Sequence, residues 1–304
     1  MNSMIRRPLT ALLMLAAVTA HAQSVTAGSG KLLLTGGVSS IDGAAGGGLT
    51  PWAVTSSYAT RGEFGATAFA TRVRTRDYSL GSYGVAMAFS DRAEVSLAQQ
   101  NFDTGNNLAP LGLPGLHLKL DIVGLKLRVA GDAVLDSDSW MPQIAVGALY
   151  KKARPGALGP SLTGALGAKA QGTDLYVSAT KLFLAQGILV NGTLRATQAN
   201  QNGLLGFGGA QGDGYRLQPE FSLAWLLNKR IALGLEYRFK PDNLNQSVLG
   251  SGALKEDDWA DLFVAWAPSK HFSLTLAYVE LGKIVPALQP RRQSGAYVSA
   301  QLAF

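Results

Sequence analysis

Apolar and polar residues alternate along most of the chain with a period of two, which indicates β-strands whose two faces meet different surroundings. In the segment 294–304, Val298, Leu302 and Phe304 share one face, and Gln301 lies on the other. Taken alone, this strand fits either a soluble sheet or the wall of a membrane barrel. The rest of the chain decides between these two interpretations.

The alternation predicts about fourteen strands, separated by segments rich in glycine, proline and polar residues. These strands are expected at 31–39, 52–59, 63–73, 78–90, 93–102, 116–130, 140–151, 172–184, 188–200, 215–227, 230–240, 257–267, 272–280 and 294–304. About twelve strands are expected if Lys31–Ser39 does not belong to the wall. In the strand 116–130 the apolar phase shifts between Ile122 and Val123, which predicts a β-bulge.

The connections between these strands alternate in length. Long segments lie at 41–51, 103–115, 154–171, 201–213, 241–255 and 282–293, and short turns at 60–62, 185–187, 228–229 and 268–270. Two connections deviate: 74–77 is short for an outer loop, and 131–139 is long for an inner turn. Short periplasmic turns and longer outer loops are typical of an antiparallel transmembrane β-barrel. We therefore predict an all-β up-and-down barrel closed by pairing of 294–304 with 31–39, with both termini in the periplasm.

The amino end has the features of a secretory signal peptide. Arg6 and Arg7 precede the apolar stretch Leu9–Ala20, and Ala20-His21-Ala22 fits a cleavage site. We predict a signal peptide at 1–22, a barrel domain at 23–304 and a location in the outer membrane of a Gram-negative bacterium. The chain has no cysteine, which excludes a disulfide framework and thiolate metal sites.

Charged residues make up only 15% of the chain, which is low for a soluble surface and fits an exterior that faces lipid. Removal of Arg6 and Arg7 lowers the formal net charge from +7 to +5. The basic residues are dispersed, so no nucleic-acid partner is expected. Aromatic residues lie near strand ends, as in interfacial girdles; they are Trp52, Tyr78, Trp140, Tyr150, Tyr215, Trp225, Tyr237, Trp259, Trp266 and Tyr278.

Charged residues in the inward phase are the candidate functional residues. They are Glu63, Lys126, Arg128, Arg195, Arg216, Glu220, Glu236, Arg238 and Asp261, with Lys119 and Asp121 in the same predicted phase. One interpretation is a pore whose charges select solutes. The other is a polar network that fills and stiffens the lumen through cross-strand pairs.

The sequence gives little support for catalysis. The predicted mature chain contains two histidines, His117 at the outer end of its strand, in the inward phase, and His271 at an inner turn. Neither accompanies a Gly-x-Ser-x-Gly motif or a metal-ligand cluster. We therefore expect no enzyme, no cofactor and no metal. A lipid-modifying enzyme that depends on His117 is a third, less favoured alternative.

Several stretches resemble one bacterial family of unknown function, DUF3034, whose members are secreted and expected in the outer membrane. The matching stretches are 31–38, 43–52, 121–126, 142–147, 193–197, 203–209, 240–244 and 258–263. The resemblance runs from about residue 30 to residue 304 and implies the barrel fold. It implies no activity, cofactor or site residue, because the family has none assigned.

The function expected from these features is a channel or transporter for a small solute. The alternative is a non-conducting barrel that anchors an envelope or export system. Expected partners are outer-membrane lipid, the solute, and the barrel-assembly machinery, which would read the terminal signal at Leu302 and Phe304. The sequence leaves open whether Ile41–Pro51 folds inward as a plug.

Overall fold

The structure, a computed structural model, describes residues 30–133, 140–210 and 212–304. The predicted signal peptide at 1–22 lies outside the described residues, as does the beginning of the predicted mature chain. Both therefore stay predictions.

The described residues form a closed antiparallel barrel of twelve strands, in which each strand pairs with its neighbours in sequence and the last pairs with the first. The strands are β1 (Phe64–Thr75), β2 (Ser79–Phe89), β3 (Ala93–Asp103), β4 (His117–Ala130), β5 (Gln143–Arg154), β6 (Gln171–Phe183), β7 (Ile188–Thr197), β8 (Arg216–Asn228), β9 (Ile231–Arg238), β10 (Trp259–Ser269), β11 (Phe272–Glu280) and β12 (Ser294–Ala303). The predicted fold class is confirmed, with twelve strands, the lower of the two predicted counts.

The two strands predicted nearest the amino end are wrong, and so is the predicted closure. Lys31–Ser39 and Trp52–Ala59 do not enter the wall; β12 pairs with β1, with Gly295 opposite Thr75 and Ala303 opposite Thr67. Because β1 and β12 satisfy each other's edges, the two preceding segments find their hydrogen-bond partners inside the lumen.

Residues 34–57, which we call the plug, run through the lumen before β1 begins, and all of them are buried. Their regular structure is one two-residue pairing, Val38–Ser39 with Ala45–Gly46. The plug starts at the end of the barrel that carries the β2–β3 turn, where Lys31 lies 2.7 Å from Asp91. The lumen is therefore filled by the chain itself.

The connections confirm the predicted asymmetry. One end, the short-turn end, carries the connections 90–92, 184–187, 229–230 and 270–271, together with the longer 131–142. The other, the long-loop end, carries 104–116, 155–170, 198–215, 239–258 and 281–293, together with the short 76–78. The two deviations from the pattern are those that the sequence predicts.

Short structured segments occur within the long loops. They are the 3₁₀-helices Ala109–Leu111, Gly156–Leu158 and Gln201–Gly203, the π-helix Ser161–Ala165, and the two-residue strands Gln246–Ser247 and Gly250–Ser251. In the part of the chain that the structure describes, no helix has the length and apolar character needed to cross a membrane.

Large apolar side chains cover the middle of the outer surface. Leu97, Leu125, Phe221, Leu235 and Leu262 point outward and are 46–57% exposed. A contiguous apolar surface of this kind is unfavourable in water and suits a lipid environment. Closure of the sheet also satisfies the strand backbones without water. The fold is that of a transmembrane β-barrel.

Along the strand β4, the apolar side chains change from the inward face to the outward face. Near the long-loop end, Leu118 and Leu120 point inward and Lys119 points outward; near the short-turn end, Leu125 points outward and Lys126 inward. The pairing with β3 continues without a shift through this point, so the predicted bulge between Ile122 and Val123 is wrong. The predicted inward phase of Lys119 and Asp121 is wrong for the same reason.

Candidate functional site

Asp42, in the plug, pairs with cations from three strands of the wall. Its carboxylate lies 3.3 Å from Lys151 of β5, 3.5 Å from Arg195 of β7 and 3.4 Å from Arg238 of β9. All four side chains are almost completely buried. One plug residue therefore connects three separate parts of the barrel wall.

Two wall carboxylates complete the charge balance around Asp42. Asp174 lies 3.0 Å from Lys151 and 3.2 Å from Arg195, and Glu220 lies 2.6 Å from Arg195 and 3.3 Å from Arg238. Three carboxylates thus face three cations. We call these six residues the Asp42 network. Unpaired charges at this burial would cost several kcal/mol each, so the pairing is a condition for the plug to stay in place.

The Asp42 carboxyl stays ionised in this environment. Burial alone would raise its pKa, but the cations of Lys151, Arg238 and Arg195 outweigh burial and hold the pKa below its usual range. The side chain of Asn202, from a long loop, also donates a hydrogen bond of 2.9 Å to Asp42. The plug is thereby bound to the outer loops as well as to the wall.

Glu236 of β9 holds the end of the glycine-rich part of the plug. Its carboxylate accepts hydrogen bonds from the backbone N–H of Leu49 at 2.7 Å and from the hydroxyls of Thr50 at 2.6 Å and Ser222 at 2.9 Å. A Cβ at Gly47 would lie 2.0 Å from this carboxylate. Glycine at position 47 therefore allows the wall to approach the plug backbone closely.

Glu94 of β3 and Lys126 of β4 hold the plug from the other side of the lumen. Glu94 accepts hydrogen bonds from the backbone N–H groups of Ala45 at 3.1 Å and Ser56 at 2.7 Å. Lys126 donates to the carbonyl oxygens of Ala45 at 2.7 Å and Val54 at 2.9 Å, and it lies 3.3 Å from Glu94. The pair supplies hydrogen-bond partners for plug backbone groups that have no neighbouring wall strand.

Most of the predicted lumen charges do face the lumen and are buried: Lys126, Arg195, Glu220, Glu236, Arg238 and Asp261. The other three lie at the barrel ends. Glu63 precedes β1 and accepts a hydrogen bond from Thr60, and Arg128 lies 2.7 Å from Asp91 near the short-turn end. Arg216 is exposed at the long-loop end of β8. Arg128 keeps the inward phase of Lys126 near the short-turn end, whereas Glu63 and Arg216 lie outside the middle of the lumen.

Four charged residues of the lumen were missed by sequence reasoning: Asp42, Glu94, Lys151 and Asp174. A signal existed for Lys151, which lies on the face of β5 opposite Tyr150 and Val146, the face that alternation assigns to the lumen. No comparable signal marked Asp42, because the glycine-rich segment around it has no periodicity. Its role depends on the folding of that segment into the barrel.

An apolar cavity of about 430 Å³ lies between the plug and the long loops. Ile41 and Leu49 of the plug form part of its floor, Leu118 of β4 part of its wall, and Leu205 and Leu254 part of its loop side. Among the described residues that line it, leucine is the most frequent and none carries a charge. The cavity offers a large apolar surface and few hydrogen-bond partners.

Exposed apolar side chains surround the outer side of this cavity. Val248 and Leu249, at the tip of the hairpin in the loop 239–258, are 73% and 58% exposed and also line the cavity. Leu111, in the loop 104–116, is 56% exposed and lines it as well. These side chains continue the apolar lining to the surface of the long-loop end.

A buried ion pair supports the wall of the cavity. Trp259 lines the cavity, and the Lys240 ammonium lies 3.7 Å from the centre of one of its rings and 3.2 Å from the Glu256 carboxylate. Burial lowers the pKa of the Lys240 ammonium to about 8, although Glu256 opposes this shift. Burial also raises the pKa of Glu256.

Each of the two histidines in the described residues has a ring nitrogen close to one oxygen atom. His117 is exposed on the outward face of β4, where its Nδ1 lies 2.9 Å from the Asn101 side-chain oxygen, so its predicted inward phase is wrong. His271 follows β10, with Nδ1 3.0 Å from the Ala303 carbonyl oxygen. Among the described residues, no group of three or more His, Cys, Asp or Glu side chains is placed to hold a metal ion.

The fold and this site define a class: a transmembrane β-barrel whose lumen is plugged by its own amino-terminal segment beneath an apolar cavity. The model of a family described as protein of unknown function, DUF3034, matches residues 35–301. The chain belongs to this family, as the sequence resemblance predicts. A search of curated proteins found no match.

Solved structures similar to this chain include the KdgM porin, at 8% sequence identity and a TM-score of 0.48, covering 78% of this chain and 99% of that chain. The NanC porin shows 8% identity and a TM-score of 0.49, with 78% and 98% covered. Outer membrane phospholipase A from Escherichia coli shows 11% identity and a TM-score of 0.41, with 81% and 93% covered.

Proposed function

We propose that this protein is an outer-membrane barrel that takes up a small apolar solute through its long-loop end. The cavity above the plug carries this proposal. Ligand pockets are typically about 300–1,000 Å³ in volume and mostly apolar, and this cavity falls within that range. A polar solute would lose its hydrogen bonds to water there without replacement, so the lining favours an aliphatic molecule.

The direction of uptake follows from the two ends of the barrel. In antiparallel outer-membrane barrels the short turns face the periplasm and the longer loops face the exterior. The cavity then opens to the exterior, and the plug separates it from the periplasm. A solute bound in the cavity touches Ile41 and Leu49, which lie on either side of Asp42 in the plug sequence. Release toward the periplasm therefore requires the plug to rearrange.

A barrel closed in this way differs from a permanently open pore. The buried contacts of Asp42, Glu94 and Glu236 hold the plug on three sides of the lumen. We expect the purified protein to show no steady ion conductance in planar bilayers. The same contacts favour the second candidate function, a non-conducting barrel that serves as an anchor in the envelope.

Binding of an apolar solute separates the two candidates. The barrel is placed in phosphatidylcholine nanodiscs, and binding of tritium-labelled dodecanol is compared with binding to empty nanodiscs. Saturable excess binding is expected for the wild type. Leu80→Trp places an indole in the cavity wall and should abolish the excess binding, because Leu80 lines the cavity.

Leu97→Trp is the matched control, since Leu97 is 51% exposed on the outward face of β3. This variant should bind as the wild type does. No saturable binding to the wild type, or equal loss in both variants, would contradict solute uptake and leave the anchoring function in its place.

A further inference from the structure

The outward face of the barrel is basic on one side of the long-loop end. Arg72 and Arg74 of β1, Lys119 of β4, and Lys152 and Arg154 of β5 all point outward and are exposed. We call these five residues the outer patch. They lie near the long-loop end of their strands, where Val73 of β1 and Leu118 of β4 point inward and line the cavity. On β4, charged side chains therefore point outward and apolar ones inward at this level.

Strand register brings these cations together. Arg72 pairs with Gly81, Gly81 with Asn101, Asn101 with Lys119, and Lys119 with Arg154. Successive members of this row lie on adjacent strands, about 4.8 Å apart. Lys119 and Arg154 are therefore direct neighbours, and Arg72 lies in the same row, separated from Lys119 by the uncharged Gly81 and Asn101.

Side-chain hydrogen bonds order the surface between the cations. The Tyr83 hydroxyl donates to Gln99 at 2.6 Å, and Gln99 donates to Asp121 at 2.7 Å. Asp121 in turn pairs with Arg154. This chain of contacts crosses four strands, β2 to β5, and fixes the position of the Arg154 guanidinium without neutralising the other cations of the patch.

The patch has a surplus of positive charge. Among the ion pairs of the described residues, Arg154 is the member of the patch that has a carboxylate partner, and Arg72 has a hydrogen bond of 2.9 Å to Ser79. A planar guanidinium matches phosphate oxygens with two parallel hydrogen bonds, and an ammonium binds phosphate as a point charge. The patch has the chemistry of a site for phosphate groups.

The position of the patch identifies where those phosphates come from. Tyr83 and Tyr150 lie at its lower border, and outward apolar residues such as Leu97 and Val123 follow directly toward the membrane centre. On the other side of the barrel, the outward residue near the long-loop end of β8 is the exposed Leu217, and the neighbouring Arg216 has the inward phase of that strand. A one-sided basic surface directly beside the apolar belt lies at the level of lipid headgroups.

We propose that the outer patch binds the phosphate groups of a phosphorylated glycolipid in the outer leaflet of the membrane. The proposal uses the orientation given above but not the apolar cavity, which faces the other side of the same strands. The lipid would lie along β1–β5 with its acyl chains on the apolar belt and its phosphates on Arg72, Lys119 and Arg154.

The test measures lipid retained by the purified full-length barrel in detergent, by native mass spectrometry. The probes are lipid A and dephosphorylated lipid A. The test variant is Arg72→Gln/Lys119→Gln/Arg154→Gln. The control, Arg61→Gln/Lys229→Gln/Arg230→Gln, removes three exposed cations at the short-turn end.

Wild type and control should bind lipid A and not its dephosphorylated form. Each cation near an anionic lipid surface contributes about fivefold in affinity, so the triple variant should bind about a hundredfold more weakly. Should the triple variant fail to fold, Lys119→Gln against Lys229→Gln gives the same comparison with about a fivefold loss. Heat-dependent migration on a gel checks folding.

Three results would overturn the proposal. They are equal lipid A binding by the triple variant and its control, equal binding of dephosphorylated lipid A, and binding of inorganic phosphate as tight as that of lipid A. The last result would assign the patch to a free anion.

Discussion

The carboxylate of Asp42 lies 3.3 Å from the ammonium of Lys151, so the plug and the barrel wall share a buried ion pair. The two side chains are 2% and 0% exposed. Removing one partner from such a pair leaves the other charge buried and uncompensated. The position of the plug therefore depends on charge balance inside the lumen.

Asp42→Asn should destabilise the barrel and loosen the plug. Loss of one carboxylate leaves three cations facing two carboxylates, at an expected cost of about 3–5 kcal/mol in the free energy of unfolding. Urea titration followed by gel migration measures this cost, and planar bilayers should show new conductance. Asp213→Asn removes an exposed partner of Lys169 and should cost at most about 1 kcal/mol. Equal effects of the two variants would show that Asp42 does not hold the plug.

The plug should stay in place in mild acid. The pKa of Asp42 is lowered in the folded protein, so its stabilising effect is fully present above the ordinary carboxyl pKa of about 4 and fades only as the pH falls further. Bilayer recordings at about pH 7 and about pH 4.5 should therefore both show a closed barrel. Opening of the barrel with a midpoint near pH 6 would contradict the role of the Asp42 carboxylate in holding the plug.

Lys240 should make the barrel more stable at alkaline pH. Its pKa is lowered to about 8 by burial, so between about pH 8 and its ordinary pKa near 10.4 the unfolded chain binds more protons than the folded protein. Stability then rises with pH over this window. The measurement is the difference in unfolding free energy between the wild type and Lys240→Met/Glu256→Gln. A difference that does not change with pH would contradict a buried ammonium.

Gly46→Ala should disturb the plug turn. A Cβ at Gly46 would lie 2.2 Å from the Thr50 carbonyl oxygen and 2.8 Å from Cα of Pro51, both backbone atoms. Overpacking of this kind costs about 1–3 kcal/mol. Gly192→Ala is the control, because nothing lies within 4 Å of its Cβ position. Chemical unfolding should show a lower midpoint for Gly46→Ala than for Gly192→Ala. Equal midpoints would mean that the plug turn shifts to accommodate the added methyl group without a loss of stability.

Deletion of Phe304 should lower the amount of assembled barrel. Its backbone exchanges two hydrogen bonds with Ala66, of 2.8 and 3.0 Å, and its ring is 66% exposed on the outward face. We expect reduced outer-membrane levels, measured by blotting, with normal heat-dependent migration of the molecules that assemble. Phe64→Ala removes another exposed ring at the short-turn end and should assemble normally. Normal levels of the deletion would reject a terminal assembly signal.

The sequence by itself determined the elements of the wall. Alternation with a period of two is a local property, so the strands from β1 to β12 and the unequal lengths of their connections were predictable from the order of residues. The inward position of Arg195, Glu220 and Arg238 was predictable from the same alternation. Their partners did not follow, because the register that brings Arg195 to Glu220 is set by pairing between strands.

Only the tertiary structure decided which segments form the wall and which fill it. Lys31–Ser39 is predicted as the first strand, but closure of β1 on β12 leaves it no edge to join. The reversal of faces in β4 was equally inaccessible, since Leu118 points inward because the cavity and long loops cover it, while Leu125 points outward toward lipid. Local patterns record that two faces differ; which face is inside depends on what the rest of the chain places there.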